Sequence, residues 1–175
     1  MSTGRYALYS GTMAGLASLL AVMASARSEG RGVLQPVNAT SHWLHGGKAG
    51  AVRTADVQHT GVGLATHAAS AMFWAVPFAM WLSSRSPRSL PRLVCEASVL
   101  SAFAALFDYG VVPKRLTPGW EHAVSRSAIA GAFVALAIGL AGGAWAAQRR
   151  AEGPFPDQSR ARATRARGTF LRAMN

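Results

Sequence analysis

The chain is banded. Four apolar runs, Tyr6 to Ala26, His59 to Leu82, Leu93 to Val112 and Ser127 to Ala147, are separated by polar stretches that hold nearly all of the charge. A run of about 20 residues, at 1.5 Å rise per helical residue, reaches across roughly 30 Å of hydrocarbon. The first and fourth runs carry no charged residue, and the second has only His59 and His67 as ionisable side chains. The third holds Glu96 and Asp108, both towards its ends, where the cost of a carboxylate in lipid falls.

A segment in lipid must satisfy its own amide groups, which a helix does internally, and the alternation that a barrel strand needs is absent. The pattern therefore predicts an all-α fold, an integral membrane four-helix bundle. Its transmembrane domain occupies 1–147, with spans at about 6–26, 59–82, 93–112 and 127–147 and a long outer loop over 27–58. A basic, disordered tail occupies 148–175. Pro87 and Pro91 fall in the second connection, and Pro113 and Pro118 in the third, where helix breakers belong.

Composition sharpens this reading. Half of the residues are apolar and only 14% are charged, against about 25% in a soluble domain. The N-terminus, second connection and tail together hold eleven of the 18 Lys and Arg residues. The positive-inside rule then places both termini in the cytoplasm of a bacterial inner membrane. The net charge of +11 owes much to Arg149, Arg150, Arg160, Arg162, Arg165, Arg167 and Arg172. Beside a membrane helix such a tail meets anionic lipid headgroups, at about 1 kcal/mol per basic residue. Nucleic acid is not an expected partner, because the tail offers only Phe155 and Phe170 for stacking. A competing reading, in which residues 1–26 are a signal peptide cut after Ala24-Ser25-Ala26, requires an apolar core longer than such peptides use.

Small residues at four-residue spacing mark helix contacts. Gly11 and Gly15 in the first run, and Gly131, Ala135, Gly139 and Gly143 in the last, predict that these two helices pack on each other through the stripes, or that the chain assembles as a homo-oligomer.

Candidate chemistry collects on the outer face, where His42, His45, Asp56, His59, Glu121 and His122 lie in or beside the loops. Imidazole and carboxylate are metal-ligand types. His42 and His45, three apart and joined by His59, are the candidate metal ligands, although no H-E-x-x-H motif or cysteine pair accompanies them. No cofactor is predicted: a bis-histidine haem needs two imidazoles within the bundle, and only His67 lies well inside a span. Cys95 stands alone, so there is no disulfide.

Ionisable groups inside a membrane are functional candidates that want a partner. His67 and Asp108 are read together, with Glu96 as a third. The preferred structural explanation pairs Asp108 with Lys114 or Arg115, anchoring the loop. Trp43 belongs to the apolar segment Val33–Leu44, too short to span and expected on the membrane surface or at the bundle mouth. Asn38-Ala39-Thr40 matches a glycosylation sequon and is read as accidental.

Three segments, Pro36 to Trp43, His59 with Gly61 to His67, and Asp108 to Glu121, resemble those of a family of small proteobacterial inner-membrane proteins that carries no assigned activity. The resemblance covers roughly Met1 to Ala147 and implies location and topology only. Two function classes follow. The leading one is a non-catalytic scaffold, accessory subunit or homo-oligomer. The alternative is a transporter or membrane enzyme using His67 and Asp108, with a metal at the outer face. A cavity joining those two side chains would favour the alternative; an Asp108 tied to Lys114 or Arg115 would favour the first.

Overall fold

A computed structural model describes residues 2–152. The described residues are all-helical, and four helices are long and apolar enough to cross a membrane. They are α1 (Thr3–Ser28), α4 (Val62–Ser83), α5 (Leu90–Gly110) and α6 (Arg126–Glu152). Two short helices, α2 (Gln35–Ala39) and α3 (His42–His45), lie between α1 and α4.

The helix ends follow local rules. Ahead of α1's exit, Gly30 at φ 71° closes a Schellman motif, with the Gly30 and Arg31 amides donating to Arg27 and Ala26 carbonyls at 3.1 and 2.9 Å. One π-turn, Val57–Gly61, leads into α4, and the Asp56 carboxylate accepts the His59 amide there. Pro91 sits in the first turn of α5, where its missing N–H costs nothing. Ser125 caps α6 by accepting the Ala128 amide at 3.3 Å, while Glu29 takes the Ser125 amide and hydroxyl.

These ends differ from the apolar runs. The third helix begins at Leu90 and stops at Gly110, short of the expected Val112, because Pro91 starts a helix instead of ending a loop. Likewise α6 continues through Arg149 and Arg150 to Glu152, so the expected tail boundary at residue 148 moves outward. Arg160, Arg162, Arg165, Arg167 and Arg172 lie outside the described residues.

Helix α1 is central. It packs most extensively on α6 and next on α4, whereas α5 packs on α6 and barely touches α4. Ala14, Val22 and Ala26 of α1 are fully buried. The outward faces show large apolar side chains, among them Leu16, Leu20, Phe73, Met80, Val99, Phe103 and Ile138.

The stripes are used, but not as a single seam. A Cβ on Gly139 or Gly143 would stand 2.5 Å from the Cα of Ala14 or Ser10, so the α6 backbone lies against the α1 backbone there. Gly11 and Gly15 instead face α4, towards Met72, Ala75 and Ala71. The expected pairing of those glycines with the α6 stripe is thus corrected: successive faces of one helix serve two neighbours. Gly131 meets nothing within 4 Å and Ala135 is only half-buried.

At one end, the 84–89 connection is clamped to α6 by Gln148, which accepts the Arg88 amide at 2.6 Å and donates to the Arg88 carbonyl at 3.3 Å. The Arg88 side chain turns inward to Glu96, 3.0 Å away, and Arg92 meets the same carboxylate at 3.1 Å. Glu96 is a structural counter-ion for two arginines. Around it Arg85 covers Trp81 and Arg149 covers Trp145, at 3.8 and 4.8 Å from the ring centres.

Because the α1–α6 approach has no room for a methyl group, Gly143→Ala should destabilise by about 1–3 kcal/mol. Gly131→Ala should be neutral or stabilising, up to about 1 kcal/mol from helix propensity. Thermal unfolding in detergent, followed by far-UV circular dichroism, checks this; equal effects of the two substitutions would contradict the packing.

Candidate functional site

The end of the bundle opposite the 84–89 connection is covered by the loop between α1 and α4, which is folded and not irregular. Asn38 is its keystone. Fully buried, it donates to the Val52 and Thr54 carbonyls at 2.9 and 3.1 Å and accepts the Thr60 hydroxyl at 2.6 Å. Its burial agrees with the sequon match being accidental: the side chain stitches α2 to the segment leading into α4. Gln35 adds a bond to the Gly50 carbonyl at 2.9 Å. At Gly63 a Cβ would collide with the Val37 carbonyl, so α2 rests directly on the α4 backbone. Val33–Leu44 thus enters the bundle mouth, with Val37 buried and Trp43 partly exposed.

Under this cover, between the weakly touching α4 and α5, is a half-open cleft of about 580 Å³. Its lining comes from α4, α6, the two loops and Asp108 of α5, and five of the side chains are aromatic: Trp43, Phe73, Trp74, Trp120 and Phe133. Trp74 reaches across from α4 to meet Phe103 and Phe107 of α5 edge-on, with ring centres 5.9 and 5.8 Å apart. The ionisable lining residues are His67 and Asp108.

His67 is buried, and its Nε2 stands 2.8 Å from the Gly15 carbonyl of α1. A carbonyl only accepts, so Nε2 carries the hydrogen and Nδ1 keeps a lone pair. Ser18, itself bonded to the Ala14 carbonyl, lies 3.5 Å from the same nitrogen. The Trp120 ring centre is 5.8 Å from that of His67, and its indole N–H is buried with no acceptor among the described residues.

Asp108 is half-buried and forms no ion pair among the described residues. The expected link to Lys114 or Arg115 is not made. Arg115 instead donates to the Trp43 carbonyl at 3.0 Å, and Lys114 acts through its own carbonyl, which faces His42 and Thr117. The Pro113–Pro118 turn carries both cations away from the α5 terminus. They do anchor the loop, but to α3 and not to Asp108. His67 and Asp108 share the cleft wall without a bond between them.

The histidines sort differently from the expected trio of His42, His45 and His59. His45 and His59 lie together, ring centres 4.6 Å apart, with His45 on the Gln58 carbonyl and His59 on Asp56. His42 is turned away, towards His122 and Glu121. Gly119, at φ 84°, permits this: any Cβ there would strike the Ala39 carbonyl and His42 Nδ1. Glu121 and His122 were visible in sequence as outer-face ligand types, but their union with His42 needed the path of the last loop.

The Asp56 carboxyl is held below the ordinary carboxylate range, first by the His59 amide and then by the His59 ring. A depressed folded value means the stabilisation is present above the unfolded value, near about pH 4, and is lost as pH falls through the folded one. Amide hydrogen exchange over 56–66, normalised to intrinsic rates, should therefore quicken below about pH 4. In Asp56→Asn that acid step should vanish; a persistent step would locate the titrating group elsewhere.

Comparison with protein-family models, with curated proteins and with solved structures returns no match to this chain, so its functional reading stands on side-chain geometry.

Proposed function

We propose that the chain is a multi-pass protein of a bacterial inner membrane, with both termini in the cytoplasm, and that its α4–α5 cleft binds a lipophilic organic cation, as a carrier or receptor for such molecules. Outward-facing Leu, Phe, Val and Ile side chains on all four long helices support insertion. Arg85, Arg88, Arg92, Arg149 and Arg150 share the end that carries Trp81 and Trp145, an arrangement that suits a cytoplasmic interface with anionic lipid. The loop-covered end then faces outward.

The observation that carries the ligand reading is the cleft itself: five aromatic side chains line it, and Asp108, its one acidic lining residue, forms no ion pair among the described residues. Aromatic faces attract cations, and a carboxylate in a poorly hydrated wall needs a counter-charge. The scaffold or homo-oligomer reading drew on the glycine stripes, and Gly11, Gly15, Gly139 and Gly143 are engaged within the chain.

Purified protein in detergent should bind tetraphenylphosphonium, read by quenching of tryptophan emission, and discriminate against tetraphenylborate, its anion of like shape. Asp108→Asn should weaken phosphonium binding about tenfold or more, the value of a charge-assisted contact of about 1.5–3 kcal/mol. Equal binding of the two ions, or an unaltered Asp108→Asn, would overturn the reading.

The orientation has its own test. In a Cys95→Ser background, Lys48→Cys should react with a membrane-impermeant maleimide in intact spheroplasts, and Ser86→Cys only after permeabilisation. The reverse pattern would invert the topology.

A further inference from the structure

Beside the cleft, and not lining it, His42, Glu121 and His122 each offer a ligand atom, all within 4.8 Å of one another. His42 is buried, whereas Glu121 and His122 are exposed. The two loops that carry them are 72 or more residues apart in sequence yet meet where His42 Nε2 stands against the Lys114 carbonyl.

Hydrogen-bond accounting at His42 is revealing. Its Nδ1 lies 3.1 Å from the Ala39 carbonyl oxygen, and its Nε2 lies 3.1 Å from the Lys114 carbonyl oxygen. Carbonyls only accept, and a neutral imidazole has one N–H. With that hydrogen on Nδ1, the Nε2 lone pair faces an oxygen lone pair. Thr117 Oγ1 stands 3.4 Å from Nε2, and its single hydrogen is shared between the Lys114 carbonyl at 3.0 Å and Glu121 Oε1 at 2.5 Å. Nε2, a carbonyl, a hydroxyl oxygen and a carboxylate therefore converge on one hydroxyl hydrogen. In either neutral tautomer one His42 nitrogen faces a carbonyl without a hydrogen between them, and a cation at Nε2 would satisfy the crowded acceptors together.

We propose that this cation is a divalent zinc-type metal ion, bound by His42 Nε2, the Glu121 carboxylate and His122. The Nδ1–H of His42, given to a main-chain carbonyl, is the orienting bond that metal-ligating histidines take. Two imidazoles and a carboxylate are a zinc donor set, and such a site keeps a fourth position for water or substrate. The half-exposed His122 ring has freedom to turn inward to bonding distance. Gly47 and Gly50 flank it closely, so that a Cβ at Gly47 would already touch the ring at 3.3 Å. The ion ties the loop after α5 to α3, and so braces the cover of the cleft. This assignment is independent of what the cleft binds. A second proton on His42, balanced by Glu121, is the competing way to supply the positive charge, and it leaves no affinity for metal.

The test uses the full chain in detergent, stripped with a chelator and returned to zinc, with bound metal measured by mass spectrometry after gel filtration. Wild type and His45→Ala should each keep about one zinc per chain. His122→Ala and Glu121→Gln, at exposed positions that the fold tolerates, should each lose at least about tenfold in affinity against a chromophoric chelator. Cobalt-loaded wild type should show visible ligand-field bands that His122→Ala lacks. Absence of bound zinc in wild type, undiminished affinity in both His122→Ala and Glu121→Gln, or loss of zinc in His45→Ala would overturn the assignment.

Discussion

Close approach of helix backbones around α1 is the constraint on which the rest depends. Where Gly139 and Gly143 meet Ala14 and Ser10, there is no space for a methyl group. On its next face α1 presents Gly11 and Gly15 to Ala71, Met72 and Ala75 of α4. Contacts this close depend on dispersion at short range, and they favour small residues. With α1 gripped on two faces, α4 and α6 take up positions on either side of it. Helix α5, which reaches the bundle through α6, is left apart from α4.

That separation makes the cleft, and the chemistry of its wall follows from the same arrangement. Trp74 spans the gap with edge contacts to Phe103 and Phe107 instead of closing it. His67 faces α1 closely enough to give its hydrogen to the Gly15 carbonyl, at a point where a Cβ on Gly15 would crowd Ala71 of α4 at 3.2 Å. Asp108, in the last turn of α5, borders the space that α4 does not fill. Packing at the centre and an unpaired carboxylate at the edge are two results of one helix order.

The loops that cover the cleft depend on polar stitching in place of apolar packing. Asn38 and Gln35 donate to the main-chain carbonyls of Val52, Thr54 and Gly50, and Thr60 holds the Asn38 side chain in place by donating to its amide oxygen. This network holds α3 in place, and with it His42 and Trp43. From the opposite side, the turn through Gly119 brings Thr117, Glu121 and His122 onto His42. Arg115 completes the junction on the Trp43 carbonyl.

Four long helices and the asymmetry of arginine were legible in the sequence, because span length and charge sidedness are local, one-dimensional properties. His67 and Asp108 could likewise be singled out, since an ionisable group in an apolar run stands out without knowledge of its neighbours. Their partners could not. Asp108 misses Lys114 and Arg115 although they are six and seven residues away, because the turn after α5 redirects the chain. His42 leaves His45, its neighbour by helical spacing, for His122, and Asn38 proves to be a buried keystone. Which helix faces meet, and which loop residues converge, depends on helix rotation and loop path. Those are settled by the sum of contacts over the whole bundle, and no short stretch of sequence contains that sum.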